Sequence, residues 1–451
     1  MGALTPLEGR SPSNRPELVV YAGIAVVHTI ACVLARALGF DHVSDDDFAR
    51  VTIAQTFAHA PTLDPSHTSW LPFPFWILGG LMLLVGRSLL AAQALSITLA
   101  SLAATTPYLA LRYVGVPQNR ALLGWTFAFG TPWALWLGAA TVPESFTASL
   151  TAAGVIGLGG TSELTLARVQ RAWPFALAIT AACLSRYETW PAAAVLAIAL
   201  ARLLVARHDA RPWRGIAIAL CVAGPLAWMA WNAHAHDGPL HFFRRVSSFK
   251  RAIGDGSTST LGSLLLYPRL LVSTRPEVTL AAIALLPGLR ARETRQRWLV
   301  PLLCVAAQIA FLAYGQVRDG APAHHPERAL LGPLMLLGLF VVDAGAAKVR
   351  ALIDTGRASV VRIALAAFLA IWATWIARSA EIPGRTALED RSAQLAAGEK
   401  LRAESAREIV VTPCAFEHFA LLAAFGAPEA AEVKPRTNEP LTNVCPHMDS
   451  K

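Results

Sequence analysis

The sequence predicts an all-α polytopic membrane protein with about eleven transmembrane helices, followed by a small α/β C-terminal tail. The 451 residues are 54% hydrophobic and only 15% charged, whereas soluble domains carry roughly 25% charged residues. Many uncharged windows reach about 20 residues, the length that a helix needs to cross the hydrocarbon core of a bilayer. These two observations exclude an ordinary soluble domain.

The basic balance of the chain indicates its orientation in the membrane. The net charge is +9, and in polytopic proteins arginine collects in cytoplasmic loops, so we expect no nucleic-acid partner. Residues 1–17 form a cytoplasmic N-terminus containing Arg10 and Arg15. The apolar run that continues to Phe40 is long enough for an uncleaved first helix rather than a signal peptide. This orientation places the loop at 41–75 on the periplasmic face of a bacterial inner membrane.

The transmembrane domain is predicted to cover residues 18–378. Its spans fall at about 18–39, 88–111, 121–140, 145–161, 173–185, 190–206, 215–233, 277–289, 298–314, 329–346 and 360–378. Residues 73–85 are apolar but short and begin beside prolines, so we expect an interfacial or re-entrant segment there. Each inner loop carries at least two basic residues, as the positive-inside rule requires.

Three consecutive acids, Asp45, Asp46 and Asp47, open the loop at 41–75. A single acid suffices to cap a helix and to complement its dipole. The apolar stripe that follows at helical spacing indicates a helix on the membrane surface. Because three acids exceed what a cap needs, we predict that at least one is catalytic. It would act as a general base or as an oxygen ligand of a divalent cation.

The rest of this loop contains further polar and aromatic candidates. His67 and Trp70 are predicted to contact substrate, although Trp70 also suits the aromatic belt of a membrane interface. His59, Asp64 and His67 match no metal-ligand spacing. Whether a divalent cation takes part therefore stays open.

Basic residues in two predicted outer segments are candidates for binding phosphate. They are Arg244, Arg245, Lys250, Arg251, His325 and Arg328. Arginine matches phosphate oxygens bidentately and keeps its charge at all relevant pH values. Anionic membrane lipids are the alternative partners of these residues. Glu144, at the outer end of the fourth span, is a further candidate for substrate binding, with an ion pair to Arg186 as the structural alternative.

Residues 379–451 are predicted to form a small periplasmic C-terminal domain. A charged helix (ALEDRSAQLAAGEKLRAESAR) is followed by a strand (EIVVTP) and a second helix (AFEHFALLAAFGA). Cys414 and Cys445 lie in this tail, and in an oxidising compartment we expect them to form a disulfide. The chain contains no CxxC, HExxH or GxxxxGK[ST] motif, which excludes zinc-ribbon, zincin and P-loop sites.

Several short motifs together resemble the GT-C superfamily of integral-membrane glycosyltransferases. Asp46–Asp47 follows the first span and precedes FARVTIAQTFA, in place of the family's amphipathic juxtamembrane helix. SWLPFPFWILGG, TPWALWLGAATVPES, CLSRYETWP and HHPERALLGPLMLL resemble later family segments. The likeness covers about residues 18–380 and is greatest to the bacterial branch related to protein O-mannosyltransferases and aminoarabinose transferases. The second acid here is Asp where Glu is common, and the extra Asp45 leaves open which carboxylate is the base.

The resemblance implies transfer of a sugar from a polyprenyl-phosphate donor to an acceptor hydroxyl or amine, with inversion at the anomeric carbon. Asp46 or Asp47 would deprotonate the acceptor. Arg328 and one basic residue of the 244–251 cluster would stabilise the leaving phosphate. The identities of the sugar and of the acceptor, whether a glycan, a lipid or a protein, are not implied.

Two other classes of protein are consistent with the same spans. A transporter or flippase for a lipid-linked saccharide would place its charges near the bilayer midplane and often contain inverted repeats. Here the charges lie at the predicted outer surface and no internal repeat is visible, which favours the enzyme. A non-catalytic assembly subunit would have no need of the three acids.

Overall fold

A computed structural model describes residues 14–67, 69–160, 172–206, 211–253, 259–319, 325–355, 358–379, 390–412 and 416–434. This part of the chain is almost entirely helical, with one two-stranded sheet, which confirms the all-α polytopic class and the small α/β tail. Cys414 and Cys445, the predicted disulfide pair, lie outside the described residues.

The helices of the first half follow the predicted apolar segments. They are α1 (Asn14–Ala37), α2 (Asp45–His59), α3 (Phe73–Val85), α4 (Leu89–Tyr113), α5 (Gln118–Phe129), α6 (Pro132–Ala139), α7 (Glu144–Gly159), α8 (Trp173–Cys183) and α9 (Trp190–Ala206). The short α3 occupies the segment predicted to be interfacial or re-entrant.

The second half contains longer helices and then the tail. The helices are α10 (Arg211–Ala235), α11 (His241–Ile253), α12 (Thr260–Thr274), α13 (Pro276–Leu285), α14 (Arg292–Asp319), α15 (Leu331–Asp354), α16 (Ala358–Ser379), α17 (Ser392–Ala403) and α18 (His418–Phe425). Strand β1 (Ile409–Val411) pairs in parallel with β2 (Ala431–Val433). The helix–strand–helix order of the tail is the predicted one.

Six of the described helices are long and apolar enough to cross a membrane, so this is an integral membrane protein. The count rises to seven if the bent pair α12–α13, which turns by 101°, forms one span. This is fewer than the eleven expected. Some of the segments predicted to cross form helices shorter than this criterion of length, such as α7 with 16 residues and α8 with 11 residues.

The predicted third span, at 121–140, is a broken helix and not a continuous one. Helix α5 ends at Phe129, and α6 begins with Pro132 in its first turn. Proline lacks the backbone N–H and clashes with the carbonyl four residues before it, which favours a break in the helix at this position. The Thr131 hydroxyl caps the new helix by accepting a hydrogen bond of 3.3 Å from Ala134 N.

Helix α7 lies at the centre of the bundle, packed against α4, α8, α14 and α15. Its small residues permit this close approach. A Cβ atom added to Gly154 would lie 2.2 Å from the side chain of Ile179, and one added to Gly157 would lie 2.3 Å from the ring of Phe175. The N-terminus of α7, which carries Glu144, is thereby held in the protein interior.

The C-terminal tail packs directly on α2. Ala420 and Ala423 of α18 lie in the same apolar cluster as Val51 and Ala54 of α2. The side-chain amide of Gln55 donates a 2.8 Å hydrogen bond to the carbonyl oxygen of Ala423. The helix that begins with the three acids is therefore held between the transmembrane helices and the tail.

Candidate active site

The three acids at the start of α2 point in three different directions, because consecutive residues on a helix are about 100° apart. Asp47 turns inward and is 1% exposed. Its carboxylate accepts hydrogen bonds from the backbone N–H groups of Val43 (2.9 Å), Ser44 (3.1 Å) and Thr141 (3.1 Å). Asp47 therefore caps α2 and ties it to the turn before α7.

Asp45 turns toward the tail. Its two carboxylate oxygens accept hydrogen bonds of 2.8 and 2.7 Å from Nε and Nη2 of Arg391. This bidentate arrangement is the strongest ion-pair geometry available to arginine. Asp45 thus joins α2 to the segment that precedes α17.

Asp46 is the acid that faces the open side of the site. Its side chain is 48% exposed, and Oδ2 lies 3.4 Å from Nη1 of Arg328. The same guanidinium nitrogen lies 3.4 Å from Oγ of Ser44. Asp46 is therefore accessible to a substrate while a buried cation lies beside it.

Glu144 is the centre of a buried ion-pair cluster. Its Oε1 accepts hydrogen bonds from Nη2 (2.7 Å) and Nε (2.9 Å) of Arg328 and from Nη1 of Arg186. Arg186 also donates to Glu188. We name Asp46, Glu144, Arg186, Glu188 and Arg328 the outer charge cluster. It brings together the predicted residues Asp46, Glu144 and Arg328, which come from three distant parts of the chain.

The carboxylates and guanidinium groups of this cluster stabilise each other's charged forms. Burial by itself raises the pKa of Glu144, but the guanidinium groups of Arg186 and Arg328 outweigh burial and hold that pKa at about 2. Burial lowers the pKa of Arg186, but Glu144 and Glu188 outweigh it and raise that pKa above its usual value. Both partners are therefore ionised at neutral pH.

Arg50 is a site residue that sequence reasoning did not select. It lies one turn along α2 from Asp47, and its guanidinium sits 4.2 Å above the ring of Trp70. Burial lowers the pKa of Arg50 to about 10, with Glu144 and Asp46 opposing that shift. Among the described residues Arg50 forms no ion pair, and its Nε has no hydrogen-bond partner. Arg50 could have been selected from the sequence, because it follows Asp47 by three residues and precedes an aromatic loop.

The predicted basic cluster of residues 244–251 lies on α11, beside the outer charge cluster rather than within it. Phe242 of α11 stacks on Tyr187, the neighbour of Arg186, with ring centroids 4.7 Å apart. Lys250 is paired with Asp319 at 3.0 Å. The other three basic residues of this predicted cluster have exposed side chains: Arg244, Arg245 and Arg251.

The predicted histidines lie at the margins of the site. His67 is exposed and adopts a left-handed backbone conformation, with φ at 48°. His325 precedes Arg328, also with a positive φ of 46°, and its Nδ1 lies 3.5 Å from Glu327. Among the residues that the structure describes, no three His, Cys, Asp or Glu side chains are grouped to hold a metal ion.

A small cavity opens beside the outer charge cluster. It lies between the N-terminal end of α7, the turn before α9, the middle of α14 and the segment around Arg328. Its polar lining residues are Glu144, Thr147, Thr151, Arg186, Glu188, Thr189, Gln308 and Arg328. The site thus combines an exposed carboxylate, buried arginines and an adjacent small cavity.

Comparison with known proteins gives a result for the fold alone. No protein-family model matches the chain, and no curated protein matches its sequence. The crystal structure of ArnT from Cupriavidus metallidurans bound to undecaprenyl phosphate matches with a TM-score of 0.53 at 14% identity, over 94% of this chain and 90% of that chain. ArnT is a GT-C aminoarabinose transferase. The resemblance to GT-C membrane glycosyltransferases is therefore confirmed at the level of the fold.

Proposed function

We propose that this protein is a membrane glycosyltransferase that moves a sugar from a polyprenyl-phosphate donor to an acceptor hydroxyl or amine. The observation that carries the proposal is the exposed carboxylate of Asp46 beside Arg328, which also lines a small cavity, in a fold shared with ArnT. The undecaprenyl phosphate bound to ArnT supports a lipid phosphate as part of the donor.

Asp46 is the general base in this proposal. A base must reach the proton that it removes, and its lone pairs must be free to accept that proton. Asp47 is buried and already accepts three backbone hydrogen bonds, while Asp45 is engaged bidentately by Arg391. Asp46 alone of the three has an accessible side chain and only a long contact, 3.4 Å, to a cation.

Arg50 is the group that we assign to the leaving phosphate. The charge of Arg328 is largely taken up by Glu144, and that of Lys250 by Asp319. Arg50 is buried without a carboxylate partner among the described residues, so an arriving phosphate would gain a charge-assisted contact in a site of low polarity. Exposed Arg244 and Arg245 on the neighbouring α11 would attract the lipid head group to the site.

The proposed step is a single displacement. The acceptor oxygen or nitrogen attacks the anomeric carbon while Asp46 takes its proton, and the bond between that carbon and the phosphate oxygen breaks. The electron pair of that bond leaves with the lipid phosphate, next to Arg50. Attack opposite the leaving group inverts the anomeric configuration.

We infer that the site faces the periplasm of a bacterial inner membrane. The helix ends opposite the outer charge cluster bear Arg120 and Arg297, which both pair with the buried Asp343 at 3.1 and 2.7 Å. Arginine-rich ends are typical of the cytoplasmic side. The acceptor would then be a periplasmic glycan, lipid or protein.

Transfer from a polyprenyl-phosphate sugar, measured with the purified full chain, tests this function. We expect Asp46→Asn to lower the transfer rate by roughly 100-fold or more, the usual contribution of a general base, with an unchanged unfolding temperature. Asp47→Asn serves as the matched variant and should lower the unfolding temperature instead. Full transfer by Asp46→Asn would refute the assignment of the base. A wild-type protein that transfers no sugar but carries lipid-linked sugar across the membrane of vesicles would favour a flippase.

A further inference from the structure

The guanidinium of Arg50 lies against aromatic faces. Its Cζ is 4.2 Å from the centroid of the Trp70 ring and 5.9 Å from that of Phe75. The nearby carboxylates of Asp46 and Glu144 act on its charge, but both form their ion pairs with Arg328. Among the described residues, the two rings are therefore the side chains that fix the direction of this guanidinium.

An aromatic face and a carboxylate hold an arginine with different consequences. A carboxylate cancels the charge of the guanidinium and occupies its N–H donors, as Glu144 does for Nη2 and Nε of Arg328 at 2.7 and 2.9 Å. An aromatic face attracts the cation through the quadrupole of the ring and carries no net charge. Arg50 therefore keeps its positive charge and its donors for an anion that arrives, such as a phosphate.

The Trp70 ring is itself fixed in place, because the carbonyl oxygens on both sides of it are hydrogen bonded. Ser66 Oγ donates a 3.1 Å hydrogen bond to the carbonyl oxygen of Trp70. The Tyr187 hydroxyl donates a 2.7 Å hydrogen bond to the carbonyl oxygen of Ser69 and accepts one of 3.0 Å from Trp228 Nε1. Movement of the ring away from Arg50 would strain these bonds.

We propose that Trp70 is a positioning residue that holds the guanidinium of Arg50 toward the leaving phosphate. The proposal rests on the function proposed above, in which Arg50 receives that phosphate. It gives Trp70 a role different from the substrate contact that the sequence predicts, because Trp70 acts here through Arg50. Tyr187 supports the same arrangement through its bond to Ser69.

Binding of a short-chain, unglycosylated polyprenyl phosphate to the purified full chain tests the proposal without any transfer step. Arg50→Gln should weaken binding by about 10-fold to 100-fold, the loss of a hydrogen bond to a charged group. Trp70→Leu keeps an apolar side chain and removes the aromatic face, and should weaken binding by about tenfold. Trp70→Phe keeps a smaller aromatic face and should stay within about threefold of wild type.

A double variant separates positioning from direct contact. Residues that act as one unit are not additive, so Trp70→Leu should weaken binding no further once Arg50→Gln is present. Trp76→Leu is the matched control, because Trp76 donates to the carbonyl oxygen of Leu63 and forms no cation–π contact with Arg50 in the described structure. It should bind the phosphate as wild type does.

Tyr187→Phe tests the support of the loop, and also replaces Trp70→Leu in the double variant if that protein does not fold. It removes the hydroxyl that bonds to Ser69 and keeps the ring that stacks on Phe242. We expect binding about threefold weaker than wild type in the presence of Arg50, the loss of one neutral hydrogen bond, and no loss in Arg50→Gln.

The possible results are distinguishable. A loss from Trp70→Leu that is equally large with and without Arg50 would show direct contact with the ligand, which overturns the positioning role and leaves the proposed function standing. Unchanged binding by Trp70→Leu, or by Arg50→Gln, would also overturn it. Coupled losses in a wild-type background that transfers no sugar would contradict the proposed function and support the positioning of Arg50 by Trp70.

Discussion

Replacement of Glu144 by glutamine would keep the shape of the side chain and remove the negative charge at the centre of the outer charge cluster. Arg186 and Arg328 would then face each other without the carboxylate that joins them, and Arg50 would lie nearby. Removal of one partner from a buried ion pair typically costs about 3–5 kcal/mol, because the other charge remains buried and uncompensated.

The pKa of Glu144 gives a second estimate of the same quantity. A shift from 4.5 to about 2 corresponds to about 3 kcal/mol in favour of the ionised carboxylate. Because the pKa in the folded protein lies below its ordinary value, this stabilisation is fully present above pH 4.5 and is lost as the pH falls toward 2. The two estimates agree on a large effect at neutral pH.

Thermal unfolding in detergent, followed by tryptophan fluorescence at several pH values, measures the effect. We expect Glu144→Gln to unfold several degrees below wild type at pH 7, and the difference to shrink below about pH 4.5. Glu188→Gln is the control, since Glu188 is more exposed, at 15%, and forms an ion pair with only Arg186 among the residues that the structure describes. A variant as stable as wild type at pH 7, or a difference that does not change on acidification, would refute the reasoning.

Two further predictions concern the other acids of α2. Asp47→Asn replaces one acceptor oxygen by a donor amide, so bonds from Val43 or Thr141 are lost, and we expect destabilisation by about 1–3 kcal/mol in denaturant unfolding. Arg391→Gln removes the bidentate pair with Asp45 and should cost about 1.5–3 kcal/mol. Faster proteolysis within residues 390–434 would report the loosened tail, and unchanged cleavage would show that apolar packing alone holds it.

Local sequence pattern was sufficient to predict most helices. Uncharged apolar windows led to α1, α4, α9 and α10, because a helix in a bilayer satisfies its own backbone and needs only length and hydropathy. The break at Pro132 was missed because hydropathy does not register a missing N–H group. The segments of α7 and α8 are apolar, but hydropathy alone did not predict that their helices have only 16 and 11 residues.

Composition also indicated that the acids at the start of α2 face water beside a membrane, yet it could not separate their roles. The direction of each side chain follows from helix geometry, but its ion-pair partner lies in a distant part of the chain. Asp45 meets Arg391, 346 residues away, and Asp46 meets Arg328, 282 residues away. Such pairs leave no local periodicity in a single sequence.

By itself, therefore, the sequence determined the membrane class, the helical segments and the loop in which to look for a carboxylate. These follow from hydropathy and from charges that are adjacent in the chain. The tertiary structure decided which acid is accessible, that Glu144 joins Arg186 to Arg328, and that Arg50 is buried without a carboxylate partner in the described part of the chain. Burial and ion pairing depend on groups brought together from distant segments, and only the packed bundle brings them together.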